Sequence, residues 1–334
     1  MTRIEFTDHI DSFLAEKAVS GKMVLLIDRN VHALYEPLFD EYDKIIVPSG
    51  ESSKRFSLVE EIVDMLQDMG FFKDTLLIGV GGGVVTDITG FAASMYMRGI
   101  SFGYIPTTLL SMCDAAIGGK NGINASGIKN FVGTFRQPEF ITVWTDFLKT
   151  LPQKEFHSGM AEVIKHSILS GREFTEFLLS QSENILNIHT PTIHEMIQRS
   201  ASLKLSVAEK DEFDRGDRHL LNFGHTVAHA LELDTEWSHG ECVAAGMVID
   251  AEIALRMNVC DEETVNQIKL LVKTFKLPQN ISFPVDSMME KIESDKKRSS
   301  ANIRYILPAA IGDCRIVEMS LGTLRKHLKV LMNE

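Results

Sequence analysis

The sequence has few cysteines, no long apolar run and no excess of basic residues. Its 4 cysteines are widely scattered: Cys113, Cys242, Cys260 and Cys314. They form no Cys-x-x-Cys pair, which argues against a disulfide framework and against a cysteine zinc knuckle. No apolar run reaches the ~18 residues that span a bilayer, and charged residues interrupt Met1 to Ile10, where a signal peptide has its apolar core. We therefore expect a cytoplasmic protein with reduced thiols.

Acidic residues outnumber basic ones, and the net charge is −12 at pH 7. This balance argues against nucleic acid or a membrane surface as a partner. A negatively charged substrate would need local clusters of cations. With 334 residues, of which 44% are hydrophobic and 24% charged, the chain has the composition of a globular protein of about two domains.

The first part of the chain alternates strand patterns with helix patterns. We predict strands at Met23 to Ile27, Lys44 to Val47, Thr75 to Val80 and Ser101 to Pro106, and helices at Val31 to Phe39 and Lys54 to Met69. This order is typical of a doubly wound α/β domain. The turn Gly81-Gly82-Gly83 then leads from a strand into a helix, where backbone amides can bind nucleotide phosphates. A tight structural turn remains the alternative, because the standard Gly-x-Gly-x-x-Gly spacing is absent.

Two acidic residues follow the first two strands and indicate which nucleotide binds. Asp28 and Glu51 can accept hydrogen bonds from ribose hydroxyls, and they would repel a 2′-phosphate. This favours NAD over NADP, although the neighbouring Lys54-Arg55 pair could reverse that preference.

After Thr150-Leu-Pro152 the patterns change from alternating elements to long helices. We predict helices at Phe156 to Leu169, Thr192 to Glu209, Arg218 to Leu231, Cys242 to Met257 and Glu262 to Phe275, and a short strand at Ile303 to Leu307. We therefore expect an NAD-binding α/β domain over residues 1–150 and a mostly helical metal- and substrate-binding domain over residues 151–334. The cleft between two domains is a common place for an active site.

Polar residues form an unusual stripe on the predicted helix from Arg218 to Leu231. The spacings between Arg218, Asn222, His225 and His229 are four, three and four, which would place them on one helix face. Two imidazoles four residues apart can face one metal ion, or a metal and a substrate. An isolated His-x-x-x-His pair is a coincidence at least as often as it is a metal site.

A third histidine and a buried-looking carboxylate favour the metal. His239 precedes the apolar run Cys242 to Ile249, which we predict to be a buried helix, and Glu162 lies among apolar residues three positions before Lys165. A catalytic zinc usually has three nitrogen or carboxylate ligands and one open position, which Glu162, His225 and His239 would supply. The alternative for Glu162 and Lys165 is a surface ion pair.

Two glycine-rich segments carry lysines. They are Gly118-Gly119-Lys120 and Gly127-Ile-Lys129-Asn130. Glycines beside lysines suggest an anion held by backbone and cations, although a single loop lysine is usually only solvated.

Nine segments, in order, resemble 3-dehydroquinate synthases over roughly residues 20 to 310. They are Gly81-Gly-Gly-Val-Val-Thr-Asp-Ile-Thr-Gly90, Tyr96-Met-Arg98-Gly, Pro106-Thr-Thr-Leu-Leu, Asp114-Ala-Ala-Ile-Gly-Gly-Lys120, Phe147-Leu-Lys-Thr-Leu-Pro152, Ser158-Gly-Met-Ala-Glu-Val-Ile-Lys165, Leu221-Asn-Phe-Gly-His-Thr226, His239-Gly-Glu241 and Asp295-Lys-Lys297. The resemblance implies an enzyme of the shikimate pathway that binds NAD and a divalent metal, zinc or cobalt.

The resemblance also implies three sets of site residues. The metal ligands are Glu162, His225 and His239. The cofactor contacts are Asp28, Glu51, Ser53, Lys54, Gly82, Gly83, Val84, Asp87, Thr107, Thr108, Asp114, Lys120, Lys129, and the expected strand end from Phe147 to Thr150. The catalytic and substrate residues are Arg98, Lys120, Lys129, Asn130, Lys165, Lys204, Arg218, Asn222, His229 and either Lys296 or Lys297. Arg98 resembles an arginine that reaches into the partner subunit's site, which implies a homodimer.

The implied reaction converts 3-deoxy-D-arabino-heptulosonate 7-phosphate to 3-dehydroquinate and phosphate. NAD takes a hydride from the substrate, phosphate leaves by β-elimination, the hydride returns, and an intramolecular aldol reaction closes the new ring. His229 would relay a proton, Arg218, Lys204 and Asn222 would bind the carboxylate, and Lys120, Lys129 and Asn130 would bind the phosphate.

The sequence departs from the family pattern in three places. The usual Pro-x-Gly-Lys-Asn is here Ala125-Ser-Gly127-Ile-Lys129-Asn130, and His166 and Arg136 stand where aromatic residues are common. Three alternatives stay open: a sibling sugar-phosphate cyclase, a metal-dependent polyol dehydrogenase, and a non-catalytic NAD-binding regulator.

Overall fold

A computed structural model describes residues 2–279, 283–295 and 302–332 of the chain. The chain divides into two compact units. The first comprises Met1–Leu151 with Lys204–Phe213, and the second comprises Pro152–Leu203 with Asp214–Glu334. Lys296 and Lys297, one of which was predicted to contact substrate, lie outside the described residues.

The first unit contains eight strands in its described part. They are β1 (Arg3–Phe6), β2 (Met23–Asp28), β3 (Lys44–Val47), β4 (Leu76–Gly81), β5 (Ser101–Pro106), β6 (Lys120–Ala125), β7 (Ile128–Phe135) and β8 (Phe140–Val143). Six of them form one parallel sheet in the order β1-β8-β5-β4-β2-β3. The central strands β2, β4 and β5 are almost fully buried, which explains their nearly continuous apolar sequences. The predicted doubly wound α/β class is confirmed.

Four helices accompany this sheet: α1 (Ile10–Val19), α2 (Arg29–Phe39), α3 (Phe56–Asp68) and α4 (Gly83–Met95). The strand predictions were correct to within about two residues. After β2 the chain adds β3 on one side and then returns to place β4 on the other. The carboxyl ends of β2 and β4 therefore flank the point at which strand order reverses, where ligands bind in open α/β sheets.

Strands β6 and β7 form a separate antiparallel hairpin. Its turn is made by Ser126 and Gly127, whose φ angles are +53° and +76°. Lys129 and Asn130 were expected in a glycine-rich loop, but they lie in β7. The prediction missed the hairpin because a polar, glycine-containing strand has a weak period-2 pattern.

The second unit is mainly helical. Its helices are α5 (Gln153–Ser170), α6 (Arg172–Ser180), α7 (Ser182–Leu186), most of α8 (Thr190–Lys210), α9 (His225–Leu231), α10 (His239–Arg256), α11 (Glu262–Thr274), α12 (Val285–Asp295) and α13 (Leu321–Leu331). One antiparallel hairpin, β9 (Asn302–Ala310) with β10 (Asp313–Ser320), joins them. The predicted helical character of this part of the chain is confirmed. Among the described residues, no helix combines the length and hydrophobicity needed to cross a membrane.

The predicted helix from Arg218 to Leu231 was wrong in its first half. Asp217–Asn222 forms a 3-10 helix, and Gly224 then adopts a left-handed conformation with φ +81°. Helix α9 begins only at His225. The four polar residues of the predicted stripe therefore do not share one continuous helix face.

The segment from Phe147 to Thr150 also differs from the prediction of a strand end. Strand β8 ends at Val143, and Thr145–Lys149 forms a 3-10 helix. Phe147 is buried there, in edge contact with Trp144 at a ring-centroid distance of 4.7 Å. Aromatic packing therefore fixes this segment.

Candidate active site

The glycine-rich turn after β4 packs closely against the chain that follows β5. A Cβ atom added to Gly82 would lie 3.0 Å from Thr108 Cγ2, and one added to Gly83 would lie 3.1 Å from Ala115 Cβ. Among the described residues, no side chain caps the N-terminus of α4. The amide groups there can therefore receive an anion such as a nucleotide pyrophosphate. Val84 follows Gly83 in the first turn of this helix.

Thr107 and Thr108 lie beside the glycine turn, at the end of the neighbouring strand. The Thr107 amide donates to the Gly81 carbonyl at 2.9 Å. The Thr108 and Ser111 hydroxyls are 2.9 Å apart, and this bond holds the chain as it leaves β5. The two adjacent strand ends thus form one edge.

Asp28 closes the end of β2. Its Oδ1 accepts hydrogen bonds from the Asn30 amide at 2.8 Å and from the Ser49 hydroxyl at 2.7 Å, so it caps α2. Capping satisfies one carboxylate oxygen and fixes the side chain. Ser53 is also held, since its hydroxyl donates to the Pro48 carbonyl at 2.7 Å. Both residues therefore lie on well-defined turns at this edge.

Lys54 is the centre of a polar cluster within the first unit. Only 4% of its surface is exposed, and its Nζ lies 2.5 Å from Asp87 Oδ2 and 3.8 Å from Glu51 Oε1. Its Nζ also donates to the Asn130 side-chain oxygen. Burial raises the pKa of Asp87, and the positive charge of Lys54 opposes this rise. Four residues predicted as cofactor or substrate contacts thus lie together.

Asn124, which no sequence motif indicates, joins this cluster to the hairpin. Its side-chain nitrogen donates to Glu51 Oε1 at 2.8 Å, and its side-chain oxygen accepts from the Asn130 amide at 2.8 Å. Its own amide donates to the Lys54 carbonyl at 2.7 Å. Nothing in the spacing of the sequence signals this role, since the partners are distant in the chain.

The three predicted metal ligands come together within the second unit. Glu162 is 1% exposed, and its Oε1 lies 3.3 Å from His239 Nε2 and 3.5 Å from His225 Nε2. All three ligand atoms lie within 4.8 Å of one another. A tetrahedral zinc with ligand bonds of about 2.0–2.2 Å places its ligand atoms roughly 3.3–3.6 Å apart. The donor set and its spacing therefore fit a divalent ion.

The second nitrogen of each histidine is already engaged. His225 Nδ1 faces the Phe223 carbonyl at 3.1 Å, and His239 Nδ1 lies 2.6 Å from Glu232 Oε1. When each Nδ1 carries the donated hydrogen, each Nε2 is available to bind a metal. The role of Glu232 was not predicted, although its i+7 spacing from His225 places both on one helix face.

The two histidines differ in their affinity for protons. Burial and the nearby Lys165 ammonium lower the pKa of His225 to about 3. Burial also disfavours the charged form of His239, but its hydrogen bonds to Glu162 and Glu232 and their negative charges outweigh this effect and raise its pKa to about 10. At neutral pH the metal-free site therefore holds one neutral and one charged imidazole.

Lys165 lies beside the metal ligands. Its Nζ forms an ion pair with Glu162 Oε2, on the oxygen that does not face the histidines, and only 2% of Lys165 is exposed. A buried ammonium needs such compensation. The ion pair is therefore buried, which rules out the alternative of a surface pair.

The helix carrying His239 begins at that residue for a local reason. Ser238 and Glu241 form a capping box, with the Glu241 amide donating to Ser238 Oγ and the Ser238 amide donating to Glu241 Oε2 at 2.7 Å. This cap fixes His239 in the first turn of α10.

The remaining predicted residues are distributed over both units. Arg218 is buried, whereas Asn222 and His229 are exposed. The rings of His225 and His229 are 5.6 Å apart in an edge arrangement. Lys204 Nζ lies 2.6 Å from Asp114 Oδ1. Exposed predicted residues of the first unit are Glu51, Arg98, Lys120, Lys129, Asn130 and Thr150.

Comparison with protein families gives two matches along the chain. The family model described as 3-dehydroquinate synthase N-terminal matches residues 44–158, and that described as 3-dehydroquinate synthase C-terminal matches residues 159–298. The 3-dehydroquinate synthase of Acetivibrio thermocellus is 38% identical over 301 residues, which covers 87% of this chain and 84% of that protein. The 3-dehydroquinate synthase of Thermodesulfovibrio yellowstonii is 40% identical over 290 residues, 85% of this chain and 81% of that protein.

Solved structures with the same fold include two synthases. ValA, the 2-epi-5-epi-valiolone synthase of Streptomyces hygroscopicus subsp. jinggangensis 5008 with NAD+ and Zn2+ bound, superposes with a TM-score of 0.89 at 24% identity, covering 100% of this chain and 97% of ValA. At that identity the likeness shows the fold alone. A 2-deoxy-scyllo-inosose synthase complexed with carbaglucose-6-phosphate, NAD+ and Co2+ gives a TM-score of 0.87 at 25% identity, covering 99% of this chain and 96% of that one.

Proposed function

The chain belongs to the 3-dehydroquinate synthase family, and from this premise we propose that Glu162, His225 and His239 hold the divalent metal of its reaction. The protein is a 3-dehydroquinate synthase, an NAD- and metal-dependent lyase that converts 3-deoxy-D-arabino-heptulosonate 7-phosphate to 3-dehydroquinate and phosphate. The observation that carries the ligand assignment is the convergence of three donor atoms within 4.8 Å.

The two cofactors supply what side chains cannot. A metal ion at this site contributes Lewis acidity toward a substrate hydroxyl, and NAD bound at the glycine turn of the first unit contributes a reversible hydride acceptor. Zinc is the metal that this nitrogen and carboxylate set favours, and cobalt takes the same ligands. The two oxygens of the Glu162 carboxylate have different partners: Oε1 faces the histidines and Oε2 faces Lys165.

NAD is held, in this proposal, by the edge formed by the ends of the parallel strands. The uncapped amides of Gly83 and Val84 bind the pyrophosphate, and Asp28 and Glu51 accept hydrogen bonds from ribose hydroxyls. Asp87, Thr107, Thr108 and the Phe147 to Thr150 segment complete the predicted contacts.

The substrate is a small sugar phosphate with a carboxylate and a phosphate, so it carries two anionic groups. Arg218 presents a planar guanidinium suited to a carboxylate, with Lys204 and Asn222 as further donors. Lys120, Lys129 and Asn130 bind the phosphate, and His229 relays the hydroxyl proton from its place one helical turn after His225. We propose that residues 1–150 and 151–334 provide the cofactor and the metal functions respectively.

Replacement of Glu162 tests the ligand assignment. Glu162→Ala removes one of three ligands while leaving the apolar surroundings of α5, so we expect the zinc content to fall to roughly one-tenth or less with retained helical circular dichroism. With heptulosonate phosphate, NAD and zinc, the wild type should release phosphate and 3-dehydroquinate in equal amounts without net NADH, and the variant should release neither.

Glu155→Ala is the matched control, because Glu155 is exposed on the same helix. It should keep the zinc and the activity of the wild type. Zinc retained in Glu162→Ala would show that the ligand assignment is wrong. Stoichiometric NADH in the wild-type reaction would instead indicate a polyol dehydrogenase.

A sibling cyclase activity is the second candidate, and the observation that favours it is the fold shared with 2-deoxy-scyllo-inosose synthase. The discriminating experiment offers glucose 6-phosphate and heptulosonate phosphate in parallel. Phosphate release from heptulosonate phosphate alone supports the synthase. We further propose that the protein is cytoplasmic and that it forms a homodimer. Light scattering of the purified protein measures the molar mass and so tests the homodimer.

A further inference from the structure

A carboxyl group lies buried in the middle of α10, the helix that begins with the proposed metal ligand His239. Asp250 is 2% exposed, and its Oδ2 accepts a hydrogen bond from the Gly224 amide at 2.8 Å. Its Oδ1 accepts from the hydroxyl of Tyr305 on β9, which is fully buried. Both oxygens thus act as acceptors, which is the pattern of an ionised carboxylate.

The Gly224 amide belongs to a turn that is pressed against α10. Gly224 has φ +81°, and a Cβ atom there would lie 2.8 Å from the Val243 carbonyl oxygen and from Met247 Cγ. A Cβ atom on Gly246 would lie 2.0 Å from the Gly224 oxygen. A buried amide in such a turn needs an acceptor, and the carbonyls in the interior of a helix are already bonded within it. Asp250 supplies that acceptor.

His225 follows this turn directly and depends on it in two ways. It is the first residue of α9, so its backbone position is set by the turn. Its Nδ1 also faces the Phe223 carbonyl at 3.1 Å, on the other side of Gly224, so the orientation of its ring follows the same turn. Helix α10, which holds this turn through Asp250, also carries His239 in its own first turn. One helix therefore fixes the positions of two of the three proposed metal ligands.

We propose that Asp250 and Tyr305 are positioning residues, which hold the turn at Gly224 so that His225 Nε2 faces Glu162 and His239. This inference rests on the metal ligands proposed above. Tyr305 keeps its proton as the donor, because burial and the charge of Asp250 raise its pKa well above the usual value. In this scheme Asp250 acts through its hydrogen bond from the Gly224 amide.

The test measures the zinc affinity of the metal-free protein by competition with a chromophoric chelator. Asp250→Ala leaves the Gly224 amide without its acceptor, and loss of such outer support typically costs about 10–100-fold in metal affinity. Asp250→Asn should bind zinc within about threefold of the wild type, because its amide oxygen can still accept from Gly224 while its NH2 group donates to the Tyr305 oxygen. The visible spectrum of the cobalt form should change in Asp250→Ala and be restored in Asp250→Asn.

Ile253→Ala is the control for lost packing, since Ile253 is fully buried on the same helix. It should lower the melting temperature of the metal-free protein and leave the zinc affinity and the cobalt spectrum unchanged. Should Asp250→Ala fail to fold, Tyr305→Phe removes one of the two hydrogen bonds and keeps the ring, with an expected loss of about 3–10-fold in affinity. A zinc affinity equal to that of the wild type in Asp250→Ala overturns the inference. If only Tyr305→Phe folds, the same result in that variant overturns it. An equal loss of zinc affinity in Ile253→Ala also overturns it.

Two outcomes separate this inference from the ligand assignment. If Glu162→Ala loses zinc while Asp250→Ala binds zinc like the wild type, the ligand assignment is supported and only the positioning role is wrong. Zinc retained in Glu162→Ala removes the ligand assignment itself.

Discussion

The proton on His239 determines how the proposed metal site responds to pH. With its pKa raised to about 10, His239 is charged in the metal-free protein at neutral pH, where it donates to both Glu162 and Glu232. A raised pKa stabilises the folded metal-free protein fully below pH 6.5, and this stabilisation is lost as the pH rises toward 10. His225 behaves in the opposite way, since its pKa of about 3 leaves it neutral.

Zinc binding should therefore release a proton from His239. Because a metal ligand must be deprotonated, we expect about one proton released per zinc ion at pH 7 and an apparent affinity that rises about tenfold per pH unit between pH 7 and 9. Calorimetry in buffers of different ionisation enthalpy measures the released proton. A zinc affinity that does not change over this range would contradict the charged state of His239.

The hydrogen bonds to Glu162 and, after it, to Glu232 hold this proton on His239. The carboxylate at His239 Nδ1 stays in place when a metal replaces the proton at Nε2, so the same contact serves both states. Motifs alone predicted the three proposed ligands, since each histidine and the glutamate lie in distinctive surroundings. They did not identify Glu232, whose function depends on a partner in the next helix.

At the scale of elements, local patterns predict most of the first unit. The apolar strands β2, β4 and β5 were predicted nearly to the residue, because strands buried on both faces have continuous apolar sequences. The segment before His225 was predicted as helix because its apolar and polar residues repeat at helical spacing. The break at Gly224 depends on Asp250 and on the backbone of α10, which no local pattern includes.

The β6–β7 hairpin offers a test of how one element supports the cofactor site. The two shortest side-chain hydrogen bonds of Asn124 join it to Glu51 Oε1 and to the amide of Asn130. Asn124→Ala should weaken NAD binding by about 5–30-fold, because two hydrogen bonds contribute about 1–2 kcal/mol in total. The dissociation constant of NAD can be measured by fluorescence without substrate.

Ile128→Ala is the control for this variant, since Ile128 is exposed on the same hairpin. It should bind NAD like the wild type, and both variants should keep the zinc affinity of the wild type because they leave the second unit unchanged. Unaltered NAD binding in Asn124→Ala would mean that the hairpin does not support the cofactor site.

At the scale of the whole molecule, contacts between distant residues decide which segments belong together. Lys204–Phe213 groups with the first unit, where Lys204 pairs with Asp114 and Phe213 packs on Phe135 at a ring-centroid distance of 5.6 Å. A change of composition along the chain cannot report such pairings. For the same reason the sequence predicts a second subunit only through the resemblance of Arg98 to a residue that crosses between subunits.

The turn that carries Arg98 is well defined within the subunit. Arg98 has φ +63° and is exposed, and the guanidinium of Arg136 donates to the Ala93 carbonyl at 2.9 Å and to the Ile100 carbonyl at 2.6 Å, on either side of the turn. Arg136 stands where an aromatic residue is common in the family, and here its hydrogen bonds brace this turn. The Arg98 side chain is thus presented from a fixed backbone.

Mixed dimers test whether Arg98 acts in the partner's site. Arg98→Ala and Glu162→Ala should each be inactive as homodimers. Co-expressed in equal amounts, they should recover about a quarter of the wild-type rate, because half of the dimers are mixed and each mixed dimer has one site with its own Glu162 and the partner's Arg98. Phosphate release by the co-expressed mixture measures this, and the doubly tagged mixed dimer purified from it should reach about half of the wild-type rate. An inactive mixed dimer would place Arg98 in the site of its own subunit, since then each site would carry one of the two defects.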